Sequence, residues 1–217
     1  MLRFALPFFC VSLLHAATIP EGGRDMLPAD WPSAAKAQGN TKLWKAERAD
    51  FGEHGQGWRL EVLDDKAGPF QLQLTTVLNG EVKSGDKMLL VFDARCVPGS
   101  STDGKGRAQA FVENKEPPSY EKLGQDAFDV LTEWQTVFLP FPANANSKPG
   151  LTHASILPGG KKQTLEIARM RLLNFGAAFD LAKLPRPYIH YPGRAADAHG
   201  ARKHWPASRK SAPRRSP

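Results

Sequence analysis

Short apolar and polar runs alternate along most of the chain, and turn residues separate them. Between Thr41 and Phe175 some runs alternate at period two, as in GWRLEVL, while others are apolar on both faces, as in KMLLVFDAR. Alternation is typical of a strand with one solvated face, and a continuous apolar run indicates a strand covered on both faces. Gly, Pro, Asn and Asp close each run. The pattern predicts roughly nine strands and no amphipathic helix of useful length.

Many short strands at this spacing are typical of two packed sheets. We therefore predict an all-β domain over residues 41–185, a two-sheet antiparallel β-sandwich of the jelly-roll kind. The turns at residues 79–80 and 84–86 are expected to bracket one further short strand. No internal repeat is evident in the sequence.

One strand prediction bears directly on function. In PFQLQLTTV we expect positions 70, 72 and 74 to face the core and positions 71, 73 and 75 to face outward, because successive side chains of a strand point to opposite faces. The inward residues would be Phe70, Leu72 and Leu74, and the outward ones Gln71, Gln73 and Thr75.

The first 17 residues are predicted to be a secretory signal peptide. Arg3 carries their charge, and the apolar run FALPFFCVSLL, too short to span a bilayer, precedes small residues suited to cleavage. Cleavage would remove Cys10 and leave Cys96, so no intrachain disulfide could form, and Cys96 is expected to be a buried thiol. We predict a secreted or periplasmic protein without a membrane segment after cleavage, in which residues 18–40 form a lead-in.

The net charge of +7 originates outside the predicted sandwich. Residues 198–217 contain six basic residues and no acid, and Arg3 supplies the seventh charge, so residues 18–197 are neutral overall. A basic nucleic-acid-binding face is therefore not expected of the folded domain, and no nucleic-acid partner is predicted. Residues 198–217 are predicted to form a basic disordered tail.

Five segments occur in a characteristic order: GWRLEV, GPFQLQL, VKSGDKMLLVFDAR, EWQTVFLPF and GGKKQTLEIARMRLLNFG. In this order the chain resembles carbohydrate-binding modules of the galactose-binding-like jelly-roll group, around families 4, 9 and 22. It is most similar to the module that precedes family 10 glycoside hydrolases, the endo-xylanases. The resemblance covers residues 40–197 and rests on the five segments together. It implies a monomeric module whose partner is a polysaccharide such as xylan.

The segment YPGRAADA resembles the junction into the catalytic barrel of those hydrolases, so residues 186–197 are interpreted as a linker. Where the resemblance implies a charged helix, residues 199–217 contain no Glu, Ile or Leu. Three explanations stay open for the tail: a reading frame lost or truncated after Ala198, ordinary terminal disorder, or a selected basic tail that binds anionic polymers.

No catalytic constellation is recognisable in the sequence. Glycoside hydrolysis requires two carboxylates across the scissile bond, and the acids of this chain lie mainly in turns and at strand ends. The histidines do not show metal-ligand spacing. We therefore predict that the chain is not an enzyme, and that it is the accessory module of a glycosidase whose barrel is missing.

Sugar binding requires an aromatic ring for the C–H face of a pyranose and planar polar groups for its hydroxyls. The motif positions imply four polar candidate binding residues: Gln71, Gln73, Arg95 and Gln163. Tyr120, an aromatic residue in the predicted loop EPPSYEK, is the candidate stacking platform. Each polar candidate has an alternative role. The glutamines of the PFQLQL run could solvate an exposed face, the arginine could be a structural ion-pair partner, and the last glutamine could cap a strand edge.

Two tryptophans leave a further choice open. Trp58 and Trp134 begin strands and are predicted to lie in the core, although a role as a ligand platform is the alternative.

Related modules often hold a structural calcium through an Asp of the final strand, and this chain has Ala168, Arg169 and Met170 at those places. This departure from the pattern of the related modules argues against the usual calcium site, and we expect no metal or cofactor. The competing hypothesis for the whole domain is a structural or protein-interaction β-sandwich without a glycan ligand.

Overall fold

The computed structural model of the protein describes residues 18–115 and 120–186. The predicted signal peptide (1–17), all but the first residue of the predicted linker, and the predicted tail lie outside the described residues. The strands and the one short α-helix of the described part are β1 (Arg24–Asp25), α1 (Trp31–Ala34), β2 (Lys36–Gly39), β3 (Trp44–Asp50), β4 (Gln56–Val62), β5 (Leu72–Val77), β6 (Lys87–Cys96), β7 (Gly106–Asn114), β8 (Lys122–Val130), β9 (Gln135–Pro142), β10 (Thr152–Leu157) and β11 (Gln163–Asn174). Three 3₁₀ helices occupy Gly52–His54, Pro69–Gln71 and Leu181–Lys183.

These strands form two antiparallel sheets. The six-stranded sheet has the order β3-β4-β11-β6-β9, and β1 also pairs with β11. The five-stranded sheet has the order β2-β5-β10-β7-β8. The prediction of an all-β, two-sheet antiparallel sandwich is confirmed. Within the described residues, no helix is long and apolar enough to cross a membrane.

Nine of the strands, β3 to β11, correspond to the runs recognised in the sequence. The other two come from residues 18–40, which are part of the sandwich and not only a lead-in. β1 pairs with β11, β2 pairs with β5, and the Trp58 indole donates a 2.9 Å hydrogen bond to the Pro32 carbonyl. Met26 and Trp31 are buried in the core. β1 and β2 escaped detection because they are short edge strands whose residues are all exposed, so no alternation marks them.

The prediction of a strand between the turns at 79–80 and 84–86 is wrong. Only an isolated bridge forms there, between Val82 and Ser147. The segment is too short for a ladder, because the second turn begins at once: the Lys83 amide donates to the Asp86 carboxylate at 3.0 Å.

The main core lies between the sheets. Leu72 and Leu74 are buried there as predicted, and Phe92 meets Phe128 edge to face at 5.3 Å. The free Cys96 is also buried, which confirms its predicted environment.

A second apolar cluster covers part of the outer side of the six-stranded sheet. Its buried members are Leu89, Val91, Phe138, Leu173 and Leu184. Leu184 follows the 3₁₀ helix Leu181–Lys183, so the chain after β11 folds back over this sheet.

Candidate functional site

The outer face of the five-stranded sheet presents polar side chains in cross-strand register. Residues directly opposite each other on antiparallel strands share a face. The register places Gln73 beside Gln38, and Ser155 between Thr75 and Phe111. The alternate positions point into the core and are buried: Leu74, Ala110 and Ile156.

An open groove of about 310 Å³ lies on this face. Four strands contribute to its lining, together with the segment before β5 and the β7–β8 loop. The lining consists of three aromatic residues, two glutamines and three charged residues. Such a combination of apolar area with a few polar groups is typical of a ligand site.

Phe70 is 62% exposed on the groove, so the prediction that it faces the core is wrong. Pro69 opens the 3₁₀ helix Pro69–Gln71, and the strand alternation starts only at Leu72. Gly39 packs directly against this turn, since a Cβ there would lie 1.8 Å from the Gln71 carbonyl oxygen. A residue with a side chain at position 39 would displace the turn that exposes Phe70.

Tyr120 is the second exposed aromatic residue of the groove, at 54% exposure. Its φ of +40° lies in the left-handed region, which is unfavourable for a bulky side chain. Backbone strain of this kind costs roughly 1–3 kcal/mol and often occurs at binding sites. The fold therefore holds an exposed ring in a conformation that the residue itself does not favour.

A hydroxyl network lies beside the groove on the same face. Ser155 Oγ donates to Thr75 Oγ1 at 3.0 Å, and His153 Nδ1 lies 3.3 Å from that same oxygen. Thr75 does face outward, as predicted, but it is buried beneath its neighbours. Burial lowers the pKa of His153, and the nearby Lys115 charge lowers it further, against an opposing effect of Glu113. His153 is therefore neutral at pH 7 and able both to donate and to accept a hydrogen bond.

The charged lining of the groove contains one ion pair and one further cation. Glu113 is buried and pairs with the Lys122 ammonium group, which also lies 3.9 Å from the Phe111 ring centroid. Lys115 is half-buried, and the structure places no carboxylate of residues 18–115 or 120–186 within ion-pair distance of it.

Two of the five predicted binding residues, Gln73 and Tyr120, line the groove together. The Gln73 side-chain amide donates to the Phe70 carbonyl at 3.1 Å, which ties it to the exposed turn. Gln71 is exposed at the end of that turn, where its side-chain oxygen accepts a 2.9 Å hydrogen bond from the Gly68 amide. Their role in sugar binding stays a prediction.

The structure places Arg95 away from the groove, on the six-stranded sheet. The Arg95 Nε atom donates to Glu166 at 2.5 Å, and Arg59 binds the same carboxylate at 2.7 Å. The Glu166 side chain is only 1% exposed. The geometry is that of the structural ion pair left open as the alternative.

Gln163, at the start of β11, is also apart from the groove and is 1% exposed. Its amide nitrogen donates to the carbonyls of Arg107 (2.6 Å) and Pro158 (2.7 Å), and its oxygen accepts from the Arg107 amide at 2.7 Å. Gln163 therefore joins the ends of β11 and β7 and, in this conformation, does not offer its amide to a ligand.

The two tryptophans with an open role occupy different environments. Trp58 is buried in the main core. Trp134 is half-buried just before β9, with the His54 ring stacked on it at 4.2 Å and the Arg95 guanidinium 5.1 Å from its centroid. These contacts occupy the Trp134 ring, so it is not an open stacking platform.

A polar network surrounds Asp93, which is buried on the six-stranded sheet. Its carboxylate accepts from Thr136 at 2.8 Å and from Arg169 at 2.5 Å, and it lies 2.9 Å from His54 Nδ1. Burial alone would raise the pKa of Asp93, but the hydrogen bonds from His54, Thr136 and Arg169 outweigh it and lower the pKa. Arg169 sits in a bulge of β11 at φ +48°. No three His, Cys, Asp or Glu side chains within the described ranges are grouped so as to hold a metal ion.

A larger cleft of about 940 Å³ adjoins this network. Its charges are balanced, with three arginines (48, 169 and 171) and three acids (25, 30 and 53) in the lining. Arg171 pairs with Asp25 at 2.8 Å, and Trp31 in its wall is buried. The cleft lacks the exposed aromatic rings of the groove, which is therefore the better candidate for sugar binding.

Sequence reasoning missed several residues of the groove: Gln38, Phe70, Phe111, Glu113, Lys115 and Lys122. For Phe70 a signal existed, because Pro69 is incompatible with the interior of a ladder and indicates that the strand begins later. For the charged residues no local signal existed, since their proximity results from strand pairing.

No protein-family model matches the chain, and no curated protein matches it. Among solved structures it is similar to one described as "CBM4 structure and function", with a TM-score of 0.53 and 14% identity over 67% of this chain and 97% of that chain. It is also similar to the arabinose-bound MgGH51 α-L-arabinofuranosidase, with a TM-score of 0.51 and 15% identity over 69% of this chain and 26% of that chain. At these identities the likeness shows the fold alone, and it confirms the predicted resemblance at that level.

Proposed function

We propose that the protein is a non-catalytic carbohydrate-binding module that binds a plant-type β-glycan such as xylan on the outer face of the five-stranded sheet. The observation that carries this proposal is the pair of exposed aromatic side chains, Phe70 and Tyr120, on one polar groove. Isolated exposed apolar residues are common, but two rings on one groove, one of them on a strained backbone, favour a binding function. The shared fold with a carbohydrate-binding module supports the same interpretation.

In this proposal the two rings contact the C–H faces of pyranose units. Gln38 and Gln73, which are cross-strand neighbours, offer amide donors and acceptors to sugar hydroxyls. The neutral His153 adds a further group on the same face. Planar amides and aromatic rings together distinguish a sugar chain from a purely apolar ligand.

The charge distribution favours binding without hydrolysis. Glycosidases require two carboxylates across the scissile bond. Among the described residues the groove contains one, Glu113, and it is buried and neutralised by Lys122. The further parts of the proposal are export from the cell, a monomeric state, the absence of a calcium site and an origin as the accessory module of a glycosidase.

Affinity electrophoresis of the full chain through gels containing xylan, mixed-linkage glucan or mannan tests the proposal. We expect retardation by at least one glycan, and its loss in Phe70→Ala and Tyr120→Ala. Phe179→Ala is the matched control, because Phe179 belongs to the apolar cluster outside the six-stranded sheet. Migration that is unaffected by all three glycans would contradict the proposal.

The competing function is a structural or interaction β-sandwich without a glycan ligand. One observation favours it: the Lys122 side chain occupies part of the groove by contacting Phe111 and pairing with Glu113. This hypothesis predicts no retardation by any glycan, and no gain of binding when Lys122→Ala removes the obstruction.

A further inference from the structure

We propose that the groove selects a glycan that carries carboxylate groups, as uronic acid substituents do, and that Lys115 binds such a carboxylate. This inference rests on the proposed function and names its substrate class. It narrows the proposed plant-type β-glycan to one that carries acidic substituents.

The lining of the groove has an excess of positive charge. The described lining contains one acid and two lysines. Glu113 and Lys122 form an ion pair, so together they add no net charge to the lining. The charge of Lys115 is then uncompensated within the lining, and an anionic ligand would restore neutrality.

Lys115 is held in place at the groove by its backbone. The Lys115 amide donates to the Leu151 carbonyl at 2.8 Å, which fixes its backbone beside the start of β10. Its side chain is half-buried on the groove and is not a freely extended surface lysine. A partly desolvated ammonium group interacts more strongly with a carboxylate than a fully hydrated one does.

Cations without an ion-pair partner among the described residues distinguish this face from the six-stranded sheet. Residues 18–197 have no net charge by sequence. Lys36, on the same face beside Thr75, is a second exposed cation, and no described carboxylate lies within ion-pair distance of it. By contrast, most arginines of the six-stranded sheet are paired with acids, as Arg59, Arg95 and Arg169 are.

The charge of Lys115 also affects His153, which lies on the same face. Burial is the main cause of the lowered pKa of His153, and the charge of Lys115 lowers it by more than Glu113 raises it. Of these two neighbouring charges, the Lys115 ammonium group therefore has the larger effect at the imidazole, which lies next to the hydroxyls of Thr75 and Ser155.

The test compares two ligands that differ only at the carboxylate position: glucuronoxylan, and the same polysaccharide after reduction of its carboxylates to uncharged hydroxymethyl groups. Binding of the full chain is measured by isothermal titration calorimetry at low and high NaCl. We expect the acidic form to bind about two- to fivefold more tightly per engaged carboxylate, and the difference to shrink with salt.

Two lysine variants test whether Lys115 causes the preference for the acidic form. Lys115→Gln is expected to abolish the preference for the acidic form while it retains binding of the reduced form. Lys45→Gln removes an exposed lysine from β3 of the other sheet and is expected to keep the preference.

The outcomes separate this inference from the proposed function. Equal affinity for both forms would overturn the inference and leave glycan binding intact. A preference that survives Lys115→Gln would overturn the assignment to Lys115. Absence of binding to either form would contradict the proposed function itself.

Discussion

The ammonium nitrogen of Lys122 lies 5.9 Å from the ring centroid of Phe70, although Phe70 precedes β5 and Lys122 begins β8. β10 and β7 separate these strands, so their axes are about 14 Å apart at the usual spacing. The two side chains therefore extend toward each other across the outer face. Both side chains line the groove, and an aromatic ring and a cation at this distance stabilise each other weakly.

The substitution Tyr120→Gly is expected to weaken glycan binding while it leaves the stability of the fold nearly unchanged. Gly adopts a φ of +40° without steric cost, so relief of strain offsets the greater freedom of the unfolded chain. We expect the free energy of unfolding in urea to stay within about 1 kcal/mol of the wild type, while affinity for a bound glycan falls about three- to tenfold. Unchanged affinity would show that the ring does not contact the ligand.

Glu166→Gln tests the alternative role of Arg95. The buried carboxylate holds both Arg59 and Arg95, and its loss leaves two guanidinium groups without their main partner. We expect a loss of about 2–3 kcal/mol in the free energy of unfolding and unchanged glycan affinity, because this network lies on the other sheet.

The matched control is Glu47→Gln, since Glu47 contacts the same Arg59 from an exposed position. It should cost less than about 0.5 kcal/mol. A large fall in glycan affinity in Glu166→Gln, with the fold intact, would restore Arg95 as a binding residue.

The contribution of Asp93 to the stability of the fold is expected to depend on pH. Its pKa is lowered in the folded state, so its contribution to stability is fully present above the unfolded value near 3.8 and is lost as the pH falls through the lower folded pKa. Asp93→Asn should therefore be less stable than the wild type at pH 6, with the difference shrinking toward pH 3. Urea unfolding across this range measures it, and a pH-independent difference would contradict the assignment.

Trp31→Ala tests the inclusion of residues 18–40 in the sandwich. Trp31 belongs to the main core, and replacing a buried tryptophan with alanine typically costs about 3–5 kcal/mol. Urea denaturation should show this loss. If the folded unit began at residue 41, the variant would unfold at the same urea concentration as the wild type.

The sequence predicted the sandwich and nine of its strands because strands such as β4 and β6 carry strong alternation or continuous apolar runs. It did not reveal β2, whose four residues are all exposed and whose identity depends on pairing with β5. Gln73 and Tyr120 could be identified as groove residues from one strand period and one loop aromatic. Their proximity to Lys115 could not, because it depends on the register of β7 against β10.

The most direct test is an NMR titration of the isotopically labelled full chain with xylohexaose and with a glucuronic-acid-substituted xylo-oligosaccharide. Changes in the amide chemical shifts locate the bound sugar whether it binds tightly or weakly. We expect the largest changes at the amides of five residues on the outer face of the five-stranded sheet: Gln38, Gln73, Lys115, Tyr120 and His153. Changes confined to the cleft beside His54 and Arg169, or no changes with either sugar, would contradict glycan binding on the five-stranded sheet.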